Sequence, residues 1–448
     1  MVSADRITRR DTIAAIASPP GRGGIGVVRV SGPGVPGIAC AVLGRLPSPR
    51  HATFRSFRDK SGALIDRGIA LYFPAPASYT GEEVLELQGH GGPSVLSELL
   101  GVCIDAGARL ADPGEFTKRA FLEGKLDLAQ AEAVADLIAA DTRVAAQGAM
   151  RSLTGEFSQA IQGMVRQLTE LRTLTEAMLD FPEEEGVDAV HEHDANERLS
   201  RVVRALDGVV ARSRQGSLLR SGIQVVLAGR PNVGKSSLLN RLAGEERAIV
   251  TPIPGTTRDA LRELIQIEGV PVTVVDTAGL RESEDEIEKI GMARTRQAMT
   301  HADIVLEVVD AVAPVRGLSG PPGSDPDSGL LVVYNKTDLV PGRRSQFPAD
   351  SLWVSAKTGE GIADLRKAIL SSAGWRISPE TVFVARERHL RALARAAAHL
   401  DAASLLMKQW EFFAEELRLA QRALCEITGE VSADDLLGEI FSRFCIGK

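Results

Sequence analysis

The run Gly229-Arg230-Pro231-Asn232-Val233-Gly234-Lys235-Ser236-Ser237 has the residue types and spacing needed to hold a chain of phosphates. It fits G-x-x-x-x-G-K-[ST] at every fixed position. Its glycines let the backbone curl so that successive N–H groups point inward, and a helix N-terminus behind them adds partial positive charge. Lys235 can reach the β- and γ-phosphates, and the Ser236 hydroxyl can ligate Mg²⁺. A glycine turn that holds no ligand would use some of the same residues. The flanks argue otherwise: Ile223-Gln224-Val225-Val226-Leu227-Ala228 reads as a buried strand, and Ser237-Leu238-Leu239-Asn240-Arg241-Leu242 as the first turns of a helix.

Further motifs follow in the order that guanine-nucleotide hydrolysis requires. Asp276-Thr277-Ala278-Gly279 ends an apolar strand, so Asp276 can hold Mg²⁺ through water and the Gly279 N–H can meet the γ-phosphate. Asn335-Lys336-Thr337-Asp338 ends another strand. A carboxylate there accepts hydrogen bonds from the N1–H and N2 amine of guanine, a pair that adenine lacks, and buried polar matching of this kind rejects the wrong base strongly. Ser355-Ala356-Lys357 suits a loop closing on the base, and Gly255-Thr256-Thr257-Arg258-Asp259 supplies a threonine to complete the Mg²⁺ shell. Each tetrapeptide is weak alone; the ordered set, each at a strand end, points to GTP.

The catalytic group is less obvious. Many GTPases orient the attacking water with a glutamine directly after D-x-x-G, where this chain has Leu280. Arg258 is a candidate for the stabilising arginine. Alternatively a hard cation supplies the charge, since Asn232 and the stretch Thr251-Pro252-Ile253-Pro254-Gly255-Thr256 offer the oxygens such an ion takes. The acidic run 281–288 could furnish a water-orienting carboxylate or could be a solvated loop.

These residues need a scaffold, and the length of 448 residues suggests about three domains. Apolar content of 44% and charged content of 25% are those of a globular chain, and no apolar run is long enough for a membrane span. Residues 1–11 carry charges and no apolar core, so no secretory signal is expected. Cys40, Cys103, Cys425 and Cys445 lie far apart, which fits a reducing cytoplasm better than a zinc site or disulfides. The net charge of −7 means that any RNA contact needs a local basic patch.

Short apolar runs at 12–16, 26–30, 68–73 and 84–87 predict strands of an α+β domain over 1–122, with a helix at 93–106 and another from about Pro113. Helical periodicity then predicts a bundle. Leu153, Phe157, Ile161, Met164, Leu168, Leu171 and Met178 form one seam, and Leu199, Val202, Val203, Leu206, Val209 and Val210 another, with an acidic turn at 181–186. An α/β unit interrupts this bundle, and helices resume over 386–407, through Leu417 and Leu424, and from Ser432 with Asp435 as a cap. The expected boundaries are 123–218 for the first helical part, 219–378 for the α/β insertion and 379–448 for the second helical part. The expected fold is a multidomain α/β + α chain with an inserted Ras-like P-loop domain built on a doubly wound sheet. The Pro- and Gly-rich stretch 311–329 stands where such a fold has a helix, and reads as a loop.

Outside the nucleotide motifs the chain resembles the tRNA modification GTPase family MnmE, also called TrmE. The resemblance rests on Ala17-Ser18-Pro19-Pro20-Gly21-Arg22-Gly23-Gly24, Tyr79-Thr80-Gly81-Glu82-Glu83, Glu86-Leu87-Gln88-Gly89-His90-Gly91-Gly92, Pro113-Gly114-Glu115-Phe116, the run 125–133 and Phe444-Cys445-Ile446-Gly447-Lys448. It implies a homodimer formed through a folate-binding N-terminal domain, and a heterotetramer with the FAD-dependent partner MnmG. It also implies transfer of an aminomethyl or carboxymethylaminomethyl group to C5 of the wobble uridine of certain tRNAs. By the same resemblance Arg29, Glu86, Lys125 and Lys448 would meet a 5-formyl- or 5,10-methylene-type tetrahydrofolate, with Cys445 close by as a reactive or merely packed thiol. Asn232, Thr251, Ile253 and Thr256 match the family's K⁺ positions, Ser236 and Thr257 its Mg²⁺ positions, and Glu288 its water-orienting glutamate. A ribosome-assembly GTPase and a non-catalytic guanine-nucleotide switch are the alternatives.

Overall fold

The computed structural model describes residues 11–180, 188–244, 262–276, 300, 302–316, 329–348, 351–376, 382–430, 434–442 and 444–447. The chain divides into two compact units, Met1–Ala135 with Cys425–Lys448, and Asp136–Leu424.

The first unit is built on a six-stranded sheet of order β3-β4-β5-β2-β1-β6, made by β1 (Ile13–Ile16), β2 (Gly23–Ser31), β3 (Thr53–Arg58), β4 (Leu64–Phe73), β5 (Val84–Gly91) and β6 (Arg109–Leu110). All neighbours are antiparallel except β1 and β6. Val28, Val30, Leu85 and Leu87 alternate inward and pack with α1 (Val35–Leu43) and α2 (Pro93–Asp105), which contribute Ile38, Val42, Leu96 and Leu99. Pro93 stands in the first turn of α2, where its missing N–H costs nothing. The sequence expectation overlooked β3. After α3 (Glu115–Leu122), α4 (Leu128–Ile138) offers Leu128 and Ala131 to a cluster completed by Leu437, Ile440, Phe441 and Phe444, of which the first three lie on α12 (Asp434–Ser442). The predicted cap at Ser432 lies outside the described residues.

In the second unit α5 (Arg143–Leu153), α6 (Glu156–Asp180), α7 (Asp188–Ser221), α10 (Glu387–Leu405) and α11 (Trp410–Thr428), whose end from Cys425 on belongs to the first unit, are the helices outside the α/β insertion. Phe157, Ile161, Met164, Leu168 and Leu171 are buried along α6, and Leu199, Val202, Leu206 and Val209 along α7, as the periodicity predicts. Leu153 is a correction: it ends α5, and the chain breaks at Gly155, with φ +91°, before α6 begins. The acidic turn predicted at 181–186 lies outside the described residues.

The second sheet has the order β12-β11-β10-β7-β9-β8, made by β7 (Ile223–Ala228), β8 (Arg262–Ile267), β9 (Val270–Asp276), β10 (Ile304–Asp310), β11 (Leu330–Asn335) and β12 (Leu352–Trp353). Only β8 runs antiparallel to its neighbour. Helices α8 (Lys235–Ala243) and α9 (Ile362–Ser372) bury Leu238, Leu242, Leu365 and Ile369 in the same core as Val225, Leu227, Leu306 and Val308. This is the predicted P-loop fold. Residues 311–316 form neither helix nor strand, and Arg316 donates to the buried Glu307 carboxylate at 2.8 Å and 3.0 Å.

One set of contacts joins the helices on either side of the α/β insertion, and another ties the insertion itself to α5. Asp136 at the end of α4 receives Arg220, one residue before α7 ends, at 2.9 Å, and Arg386, just ahead of α10, at 2.8 Å. Thr142 caps α5 by accepting from the Ala145 N–H, and its own hydroxyl donates to the Gly269 carbonyl in the β8–β9 turn at 2.7 Å.

Candidate functional site

The phosphate loop leaves β7 and enters α8 with Gly234 at φ +93°, a left-handed value that glycine adopts without strain. A Cβ there would also lie 2.4 Å from Asn335 Nδ2, so position 234 admits only hydrogen. Lys235 is buried and its ammonium donates to the carbonyls of Gly229 at 2.9 Å and Arg230 at 3.0 Å. Ser236 and Ser237 follow in the first turn of α8, at the positive end of the helix dipole.

The loop is braced from the neighbouring strand. Asn335, only 2% exposed, donates through Nδ2 to the Val233 carbonyl at 2.9 Å and accepts at Oδ1 from the Ala356 N–H at 3.0 Å. Lys336, at φ +67°, donates to the Asn232 carbonyl at 2.7 Å and to Asp310 Oδ2 at 2.6 Å. Burial pushes the Asp310 carboxyl upward, but hydrogen bonds from Lys336 and the Val312 N–H outweigh it and hold the group below the usual aspartate value. The Asp338 carboxylate accepts from Ser355 Oγ at 2.7 Å, and Thr337 begins the single 3₁₀ turn that carries it. Arg241 of α8 donates to the Ala356 carbonyl at 3.0 Å and to the Lys357 carbonyl at 2.6 Å.

Structure therefore brings Asn232, Val233, Gly234, Lys235, Asn335, Lys336, Asp338, Ser355, Ala356 and Lys357 into one place. Asp276 ends β9 beside Leu227, one position from the end of β7. Thr251, Pro252, Ile253, Pro254, Gly255, Thr256, Thr257, Arg258, Thr277, Ala278, Gly279, Leu280 and Glu288 lie outside the described residues. Sequence reasoning missed Asp310 and Arg241. Asp310 had a weak signal as an acid at a strand end, whereas Arg241 looked like any basic residue closing a helix.

In the first unit, Arg29 on β2 and Glu86 on β5 are cross-strand partners. The Arg29 guanidinium meets Glu86 Oε1 at 3.0 Å and 2.9 Å, and also donates to the Gly447 carbonyl at 3.3 Å. It lies 5.6 Å from the Tyr79 ring centre and 5.7 Å from that of Phe116. Ring faces attract such a cation. Both partners keep a little under a fifth of their side-chain surface in solvent (19% and 18%), so a ligand can reach a cation and a carboxylate together. Lys125 is exposed beside Gly81, and Lys448 lies outside the described residues. Cys445 is exposed, and its carbonyl accepts from the Gly114 N–H at 3.4 Å.

Comparison with known proteins agrees with this geometry. The model of the MnmE helical domain matches residues 128–445, and that of the GTP-binding protein TrmE N-terminus matches residues 12–125. A protein of Thiobacillus denitrificans named tRNA modification GTPase MnmE is 59% identical over 98% of this chain and 98% of its own length. Its namesake in Nitrosospira multiformis is 58% identical over 99% and 100%. Among solved structures, the FeoB G-domain from Methanococcus jannaschii is 26% identical and covers 34% of this chain and 98% of its own, at a TM-score of 0.25, too slight a likeness to argue from. Two family models spanning nearly the whole sequence, and relatives this close over their full length, leave one conclusion: the chain belongs to the MnmE family of tRNA modification GTPases.

Proposed function

We propose that the chain is a K⁺-dependent GTPase whose cycle drives tRNA modification in the cytoplasm. With the FAD-dependent partner MnmG it adds an aminomethyl or carboxymethylaminomethyl group to C5 of the wobble uridine, drawing on a one-carbon tetrahydrofolate. The observation that carries the reading is the assembled base pocket, Asn335, Asp338 and Ser355 beside the phosphate loop, in a chain so close to proteins named tRNA modification GTPases.

The chain's own residues do the binding. Charged phosphate oxygens are stronger partners for the Lys235 ammonium than the two neutral carbonyls it meets, and the N–H groups at the start of α8 face the same region. Asp338, oriented by Ser355, accepts from N1–H and the N2 amine of guanine. Ser236 and Thr257 would hold Mg²⁺, and Asn232, Thr251, Ile253 and Thr256 would hold K⁺. Asn232 fits that duty, since it turns at φ +65° with its carbonyl already fixed by Lys336. Bound there, K⁺ would supply the positive charge that an arginine finger supplies elsewhere, worth about 10³ to 10⁵ in rate. Glu288 would orient the attacking water, with Arg258 as the alternative cationic contributor. The Arg29–Glu86 pair suits a cofactor with a carboxylate tail and a pterin edge, and Lys125 and Lys448 would add charge. Homodimerisation would run through the N-terminal domain that carries this pair.

The test pairs two measurements. GTP turnover is expected to be faster in K⁺ than in Na⁺ at equal ionic strength, and equal slow rates in both would overturn the K⁺ mechanism. Mass analysis of tRNA nucleosides from cells lacking the gene is expected to show unmodified wobble uridines, and normal modification would overturn the tRNA role.

A further inference from the structure

The structure assigns to Arg241 the role of a positioning residue for guanine recognition, an inference that rests on the guanine-nucleotide reading of the site. Helix α8 has two ends with different duties. Its first residues, Lys235 and Ser236, belong to the phosphate grip, and its last turn carries Arg241. The guanidinium forks onto two successive carbonyls of the base loop, Ala356 at 3.0 Å and Lys357 at 2.6 Å. Its carbon also lies across Gly359, where a Cβ would sit 3.8 Å away.

That loop otherwise closes mostly on itself. The Ser355 N–H donates to the Glu360 carbonyl, the Gly359 N–H to the Ser355 carbonyl, and the Thr358 N–H to Ser355 Oγ. Towards the nucleotide, the Ala356 N–H reaches Asn335 and the Ser355 hydroxyl holds the Asp338 carboxylate. Arg241 thus grips the far side of the peptides whose near side orients the guanine-reading groups. A charged, forked donor makes stronger and more directional bonds than a neutral one. One short helix thereby sets the spacing between the phosphate grip and the base grip. Without the fork, Ser355 loosens and the Asp338 carboxylate loses its fixed orientation. Contacts to the N2 amine then weaken more than contacts to the phosphates.

The experiment measures affinities of the full-length chain for GDP and for inosine diphosphate, which keeps the phosphates and ribose but lacks the 2-amino group. In Arg241→Ala, GDP dissociation is expected to speed up about tenfold, the cost of losing a charged hydrogen-bond pair. The GDP-to-IDP affinity ratio is expected to fall at least about fivefold, because discrimination resides in the oriented carboxylate. Arg241→Lys keeps the charge but not the fork, and is expected to lose about half that effect on a logarithmic scale. Equal losses for GDP and IDP, leaving the ratio unchanged, would make Arg241 a support of the phosphate loop and overturn the inference. Should Arg241→Ala fail to fold, the same readings on Arg241→Lys decide it, a wild-type ratio there being the overturning result. Failure of the underlying reading looks different: the wild-type chain itself would bind IDP as tightly as GDP.

Discussion

Asn335 acts on two loops from a nearly closed position, holding Val233 of the phosphate loop and Ala356 of the base loop. Asn335→Ala leaves both partners without their bond, and is expected to lower unfolding free energy by about 1–3 kcal/mol and to weaken GTP binding. Denaturant titration and nucleotide titration of the same variant check this, and unaltered GTP affinity would show that the brace is dispensable. The residue types at this site were legible because base and phosphate chemistry demand them, so Lys235, Asn335 and Asp338 stood out from their neighbours. What Lys336 and Arg241 do was not legible. Their partners stand 104 and 115 residues away in sequence, at Asn232 and Ala356, and only the sheet order brings them together.

Among the elements, the β8–β9 hairpin occupies a particular place. Its open end leads into the stretches 251–261 and 277–299, where the sequence puts the Mg²⁺, K⁺ and water-orienting residues. Its closed end is held by α5. Gly269, in the turn, has φ +82°, and a Cβ there would come within 2.3 Å of Val144 Cγ2. Gly269→Ala is expected to cost about 1–3 kcal/mol through strain and overpacking and to quicken hydrogen exchange along 262–276. Adding Val144→Ala should recover the packing part, and a double variant no more stable than the single one would contradict the contact.

A second element, α3, depends on charge. Glu115 lies 2.7 Å from Arg109 and 2.9 Å from Arg119, which also meets Glu82 at 3.0 Å. Burial pushes the Glu115 carboxyl upward, but hydrogen bonds from Arg109, the Asp112 N–H and Arg119 prevail and keep it below the ordinary 4.5. A folded value below the unfolded one means that this stabilisation is complete above about pH 4.5 and is lost as pH falls through the folded value. Glu115→Gln is expected to flatten that acid limb in a denaturation series, and an identical limb would discount the carboxylate. Strand β3 shows why some elements escaped notice. Phe54 and Phe57 are three apart, a helical spacing, yet in a strand they face opposite ways, Phe57 buried and Phe54 67% exposed.

At the scale of the whole molecule, the two units differ from a simple division along the chain, because residues 425–448 join the first unit. Periodicity predicted the apolar stripe of the last helix, and nothing in its spacing named α4 as the surface it covers. The four thiols all belong to the first unit, two of them buried and two exposed. Burial pushes Cys103 up to about 12, and burial together with Glu430 pushes Cys425 up to about 11, whereas Cys40 and Cys445 are exposed. A maleimide at mildly alkaline pH is expected to label Cys40 and Cys445 in the native chain and the other two only after denaturation, since the thiolate is the reactive form. Peptide mass analysis reads the pattern, and native labelling of Cys103 would contradict the packing of α2.

The cluster of Leu128, Ala131, Leu437, Ile440, Phe441 and Phe444 has a consequence for how the protein is born. A ribosome delivers α4 long before α12, and residues 139–433 must be synthesised in between. The apolar side of α4 therefore waits, uncovered, through most of translation, and the oldest part of the nascent chain is among the last to be finished. Closure of this cluster is thus timed by the arrival of α12.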